Sequence, residues 1–174
     1  MNRRLTELVE YLDEAAAGLR AAFEAVPAER RAARPAPERW SAAEVVHHVT
    51  IVERGITQRI GALVEEAKKL DAEEDDSSVL GKIDTATARN RARKIVSSER
   101  VQPKETEVAR VWADYEAARA SLRQVLAGAD GVALGAVSAP HPALGTLNGY
   151  EWIAFVGSHT ARHAEQIRED HGVA

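Results

Sequence analysis

The chain has 174 residues, which suits one domain and leaves little room for a repeat array or two full cores. Hydrophobic residues make up 45% and charged residues 29%, which excludes wholesale disorder, and the net charge of −4 argues against a protein built to hold nucleic acid. The absence of Cys removes disulfides, thiolate nucleophiles and Cys-based metal sites together, leaving six His as the side chains suited to metal ligation or near-neutral acid–base chemistry.

No apolar run approaches the roughly 20 residues of a membrane span. The first residues, MNRRLTELVEYLDEAAAGLR, interleave charge with apolar side chains and lack the apolar stretch of a signal peptide. The expectation is a cytoplasmic protein with neither a membrane nor a nucleic acid as partner. Ala dominates the apolar share and aromatics are only 5%, so composition favours helices over strands.

Four amphipathic stretches follow in chain order. The first runs from about Asn2 to Val26, with Leu5, Leu8, Leu12, Ala16, Leu19 and Phe23 on one helical face. Pro27, Pro35 and Pro37 then break helical continuity. The second opens on Ser41-Ala42-Ala43-Glu44, a capping box, and keeps Val45, Val49, Val52, Ile56, Ile60 and Leu63 on one face until about Leu70. The acidic run from Asp71 to Ser78 reads as a solvated connection. Between 79 and 102, Val79, Leu80, Ile83, Ile95 and Val96 bracket a basic cluster of Arg89, Arg91, Arg93 and Lys94, read as a solvated loop or short helix in preference to an anion-binding patch. The third helix is expected to start near Pro103 and to end at Gly128, with Val108, Val111, Trp112, Tyr115, Leu122, Val125 and Leu126 buried. Gly131 to Gly145 reads as a loop. The fourth helix starts near Thr146 or Asn148, with Asn148 and Glu151 at N-cap and N3, and runs to about Asp170 before Gly172. No useful strand-like alternation is visible. Four apolar stripes predict an all-α four-helix bundle with long connections.

His159 and His163 lie four apart, so their imidazoles are neighbours on a helix and can converge on one ion through bonds of about 2.0–2.1 Å. On a helical wheel both fall within about 20° of the apolar stripe that holds Trp152, Val156 and Ile167. Two polar rings aimed into a core need a partner there. On the second helix, His48 projects beside Val52 at the edge of the apolar face, whereas His47 projects toward solvent or a partner. His48, His159 and His163 are therefore the expected metal ligands, three nitrogens from two helices with coordination positions left for water or substrate.

Trp40-Ser41-Ala42-Ala43-Glu44-Val45-Val46-His47-His48, followed by Val52-Glu53, resembles the start of the second helix in the DinB/YfiT-like metalloenzyme superfamily. There a metal-binding His stands eight residues after the Trp, a register that also selects His48. His141-Pro142-Ala143-Leu144-Gly145, Glu151-Trp152 and His159-Thr160-Ala161-Arg162-His163-Ala164-Glu165-Gln166-Ile167 resemble the family's final loop and helix, whose H-x-x-x-H supplies the other two ligands. Val101-Gln102-Pro103 sits where the family often has a Pro opening its third helix. The resemblance covers essentially the whole chain as a single domain, 1–174. It implies a four-helix bundle with a long crossover, a divalent metal, commonly zinc or nickel, between the second and fourth helices, and frequent homodimers.

A divalent ion held by three neutral His keeps its full charge and can acidify bound water or deprotonate a thiol. The first route is metal-assisted hydrolysis. The resemblance implies the second for several members, which are S-transferases or isomerases using low-molecular-weight thiols on small-molecule substrates; a non-catalytic bundle with a structural or vestigial metal site is the alternative. Other residues carry smaller expectations. Glu53 suits either an acceptor orienting an imidazole N–H or a surface or helix-pairing glutamate. Gln166 is placed to hydrogen-bond a substrate or a ligand. Arg162 suits either an anionic substrate or a carboxylate on the bundle surface. His141 reads as a loop residue that could line the cavity mouth, Trp152 as core, and His171 as solvated.

Overall fold

A computed structural model describes residues 1–74, 76–79, 81–92, 98–104 and 106–174. Asp75, Leu80, Ile95, Val96 and the Arg93 and Lys94 half of the basic cluster lie outside the described residues. Helix α1 spans Arg3–Ala25 and α2 spans Ala42–Ala67. A one-turn helix, α3, covers Ala86–Arg89, and α4 covers Val108–Ala127. Strands β1 (Ser138–His141) and β2 (Gly145–Asn148) form an antiparallel hairpin that leads directly into α5, Gly149–His171. The fold is mostly helical, as expected of the composition.

The helix starts follow from local chemistry. The Asn2 side chain accepts the Leu5 N–H. Ser41 and Glu44 form the expected capping box, Ser41 Oγ accepting the Glu44 N–H at 3.2 Å and Glu44 Oε2 accepting the Ser41 N–H at 2.8 Å. Asn148 and Glu151 do the same for α5, whose end is set by Gly172 at φ +64°. Each arrangement satisfies backbone donors that a helix start leaves unpaired.

The apolar core is divided. Leu8, Leu12, Ile60, Leu122 and Ile153 belong to one cluster, and Leu19, Phe23, Val45, Val49, Tyr115 and Ile167 to another. Along α2, α4 and α5 the residues between the two clusters include the buried polar side chains Thr50, Glu53, Arg119, Ser158, Thr160, Arg162 and His163. The bundle therefore has a polar waist, and the polar groups there must find partners inside the protein.

Four expectations are corrected. The segment 131–145 is not wholly loop: β1 pairs with β2, Ser138 opposite Asn148 and His141 opposite Gly145. Of β1 and β2 only Ala139 is buried, so the hairpin leaves no alternating pattern to read. Helix α4 starts at Val108 rather than near Pro103, because Gln102 and Glu107 stay extended and Val101 and Thr106 are bonded to α2. The acidic run is not merely solvated: the Glu74 carboxylate accepts from the Asn2 side chain, and Asp76 accepts the Arg3 N–H at 2.6 Å, placing negative charge at the N-terminus of α1. His171 is buried, packed beside the Trp40 backbone. Trp152 lies in the core, and its Nε1–H donates to the Ala139 carbonyl, tying the hairpin to α5.

Helices α1 and α5 approach closely at Gly157, where a Cβ would meet Tyr11 Cε1 at 2.5 Å and Cδ1 at 2.7 Å. The Tyr11 ring cannot simply swing aside, since its hydroxyl is hydrogen-bonded to Ser158 Oγ at 3.1 Å. Gly157→Ala should therefore lower stability by about 1–3 kcal/mol, the usual cost of overpacking. Denaturant unfolding followed by circular dichroism measures it, and an unchanged midpoint would contradict the close approach.

Candidate metal centre

Helices α2 and α5 bring His48, His159 and His163 together. One ring nitrogen from each lies within 4.8 Å of the other two, so the three could hold a metal ion. The His159–His163 ring centroids are 4.4 Å apart, His48–His163 4.7 Å and His48–His159 5.2 Å. His159 Nε2 and His163 Nε2 are 3.2 Å apart. Two nitrogens bound to one ion at 2.0–2.1 Å with tetrahedral angles would stand about 3.3 Å apart. His48 and His163 are buried, while His159 is partly exposed.

Hydrogen bonds decide which nitrogens are free. His48 Nδ1–H donates to the Val101 carbonyl at 2.6 Å. His163 Nδ1–H donates to Gln166 Oε1 at 2.8 Å. Each bond places the ring proton on Nδ1 and leaves a lone pair on Nε2, the form a metal ligand requires. Burial pushes the pKa of all three imidazoles down, and neighbouring positive charge adds to the effect. Neutral imidazoles with outward lone pairs fit a divalent cation. Trp40 covers His48 at 4.9 Å between centroids, and Phe155 lies 5.7 Å from His159.

The chain matches the DinB superfamily over residues 11–167. This protein belongs to the DinB superfamily. No curated protein and no solved structure matches it. Within this DinB-superfamily chain, the register of His48 eight residues after Trp40 and the H-x-x-x-H of α5 meet in space as the sequence comparison implied.

The remaining candidates part company. Gln166 holds His163 directly. His47 is not turned to solvent alone: its Nδ1 bonds Thr106 Oγ1 at 2.7 Å. Arg162 is buried and donates to the Asn90 carbonyl. Arg91 of the basic cluster pairs with Glu169 on α5 at 2.7 Å. His141 stays apart from the three ligand candidates. Its Nδ1 accepts the Ala143 and Leu144 N–H groups, which puts its proton on Nε2. Its ring packs on Phe155 and Trp152, 4.4 and 5.2 Å between centroids. Phe155 also walls a cavity of about 360 Å³ with Ile83, Thr87, Leu144, Leu147 and Glu151.

Sequence reasoning missed the Val101 carbonyl, which as a backbone group carries no residue signal. It also missed Phe155, although its spacing of four from His159 could have found it. Glu53 takes the helix-pairing role, joining α2 to α4. It is buried beside Arg119 of α4, with Arg119 Nη1 3.6 Å from Glu53 Oε1. Burial raises its pKa to about 7 although Arg119 pulls the other way.

Groups facing this pair are Tyr115 on α4, Thr160 on α5 and, at the outer end of Arg119, Asp13 on α1. Between pH 4.5 and about 7 the folded chain then holds a proton at Glu53 that the unfolded chain releases, so Glu53 makes stability fall as pH rises through that window and adds no slope above it. The stability of the wild type minus that of Glu53→Gln should fall by about 3 kcal/mol across it. Urea unfolding of both proteins at a series of pH values checks this; a flat difference would place the Glu53 pKa at its ordinary value.

Proposed function

We propose that this protein binds one divalent metal ion, zinc or nickel, through His48, His159 and His163, between α2 and α5 of a DinB-like four-helix bundle formed by the whole chain as one domain. We further propose that it acts as a metal-dependent S-transferase, using a low-molecular-weight thiol on a small-molecule substrate. The observation that carries the reading is the convergence of three imidazoles, two of them with Nδ1 committed to Val101 and Gln166 and Nε2 left as a lone pair.

A divalent ion there would leave a coordination position free and lower the pKa of a water or thiol that took it. The chain has no Cys, so a thiol must come from a small molecule. Partial exposure of His159 leaves the cluster open on one side, which supports a site that admits a ligand over a closed structural one. Val101 and Gln166 fix the planes of His48 and His163. Trp40 shields His48 from water. Phe155 joins His159 to a cavity within the size range of small-molecule sites. A cytoplasmic homodimer belongs to the same reading and rests on the family alone; sedimentation would test the oligomeric state.

Protein purified without chelator should carry about one divalent ion per chain, since three imidazoles and an open position make one site. His163→Ala should lose the ion while its helical circular dichroism spectrum is kept. Intact metal content in that variant would remove the triad from consideration. Gln166→Leu, which frees His163 Nδ1, should weaken binding about 10–100-fold by titration calorimetry. Turnover of metal-loaded protein with a panel of thiols and electrophiles tests the transferase reading, and turnover without any thiol would replace it with hydrolysis.

A further inference from the structure

The polar waist contains a second group of side chains that the histidine cluster does not use. Five of its buried polar atoms have no hydrogen-bond partner among the described residues: both carboxylate oxygens of Glu53, the Tyr115 hydroxyl, Arg119 Nη1 and Thr160 Oγ1. Glu53, Tyr115 and Thr160 are each 1% exposed and Arg119 7%. They come from three helices, and the Tyr115 hydroxyl faces Glu53, Arg119 and Thr160. Arg119 Nη1 stands 3.6 Å from Glu53 Oε1, an ion-pair distance too long for a direct hydrogen bond.

Thr160 sharpens the point. Thr50, Thr57 and Ser158 each return their hydroxyl to the carbonyl four residues back, at 2.8–3.0 Å. Thr160 makes no such bond, and its hydroxyl is turned instead to the Tyr115 hydroxyl without closing a well-formed hydrogen bond. The outer end of the group is closed by Arg119 Nη2, which reaches Asp13 Oδ1 at 3.3 Å, and Asp13 is held in turn by Arg123 at 2.6 Å.

The chemistry selects the ligand. A cation would meet one carboxylate already neutralised by a guanidinium, and an anion would meet Glu53. An apolar molecule would leave five polar atoms unsatisfied. A neutral molecule that both donates and accepts can partner the donors and the acceptors alike, and the smallest is water, which is retained in interiors where two to four polar partners converge. We propose that Glu53, Tyr115, Arg119 and Thr160 form a hydrated site inside the bundle, separate from the histidine cluster, that holds at least one water molecule as a part of the fold. The site does not depend on metal binding.

A crystal structure of the wild type resolving ordered solvent tests the site. Density should lie about 2.6–3.2 Å from a Glu53 oxygen and from Tyr115 Oη or Thr160 Oγ1. It should disappear in Tyr115→Phe/Thr160→Val, which keeps the shapes and removes both hydroxyls. Direct closure of Arg119 on Glu53 and of Tyr115 on Thr160 with no density between them would overturn the proposal, as would density that survives unchanged in the double variant. If that variant does not fold, oxygen-17 relaxation dispersion of the wild type against Tyr115→Phe decides. The expected result is loss of about one long-lived internal water, and identical dispersions would refute the site.

Discussion

Polar side chains withdrawn from water by a bundle of helices must be partnered by one another, and this constraint organises the molecule. Two apolar clusters hold α1, α2, α4 and α5 together, and between them a belt of polar groups crosses the bundle. An unpartnered polar group there costs on the order of 1–3 kcal/mol, so the belt persists only because its members converge. His48 and His163 each hand one nitrogen to the protein and turn the other toward a shared centre with His159. The bonds made outward, to a backbone carbonyl and to a glutamine amide, set what the inward atoms can do.

Burial acts on two chemistries at once. It disfavours the charged form of any titratable group, so it lowers the imidazole pKa values and raises that of Glu53. The results are complementary. A neutral imidazole offers a lone pair to a cation, and a carboxyl that keeps its proton gains a donor. Two groups of side chains of different character thus arise in one belt from one physical cause.

Much of this was legible in the sequence. The helical wheel and the Trp40 register agreed on His48, and the four-residue spacing of His159 and His163 placed both on the face they occupy. Ser41 with Glu44 and Asn148 with Glu151 marked helix starts by short-range chemistry that survives any packing. What was illegible depended on contacts between distant segments. The hairpin has one buried residue in its two strands and so carries no alternation. Glu53 finds Arg119, and Asp76 finds the start of α1, across separations that no local spacing encodes. The delayed start of α4 reflects a loop held by α2 rather than any weakness in its own helix-forming residues.

That loop is fastened at two consecutive positions. His47 bonds Thr106 while His48 bonds the Val101 carbonyl, so neighbouring rings on α2 hold two points of the segment that leads into α4. A rotation of the His48 ring would tug on the strap, and a displaced strap would free that ring to turn. Thermodynamic reciprocity then applies: whatever fixes the imidazole also fixes the Val101 carbonyl, and whatever displaces that carbonyl blunts the imidazole's hold on any ion bound there, by the same free energy in both directions.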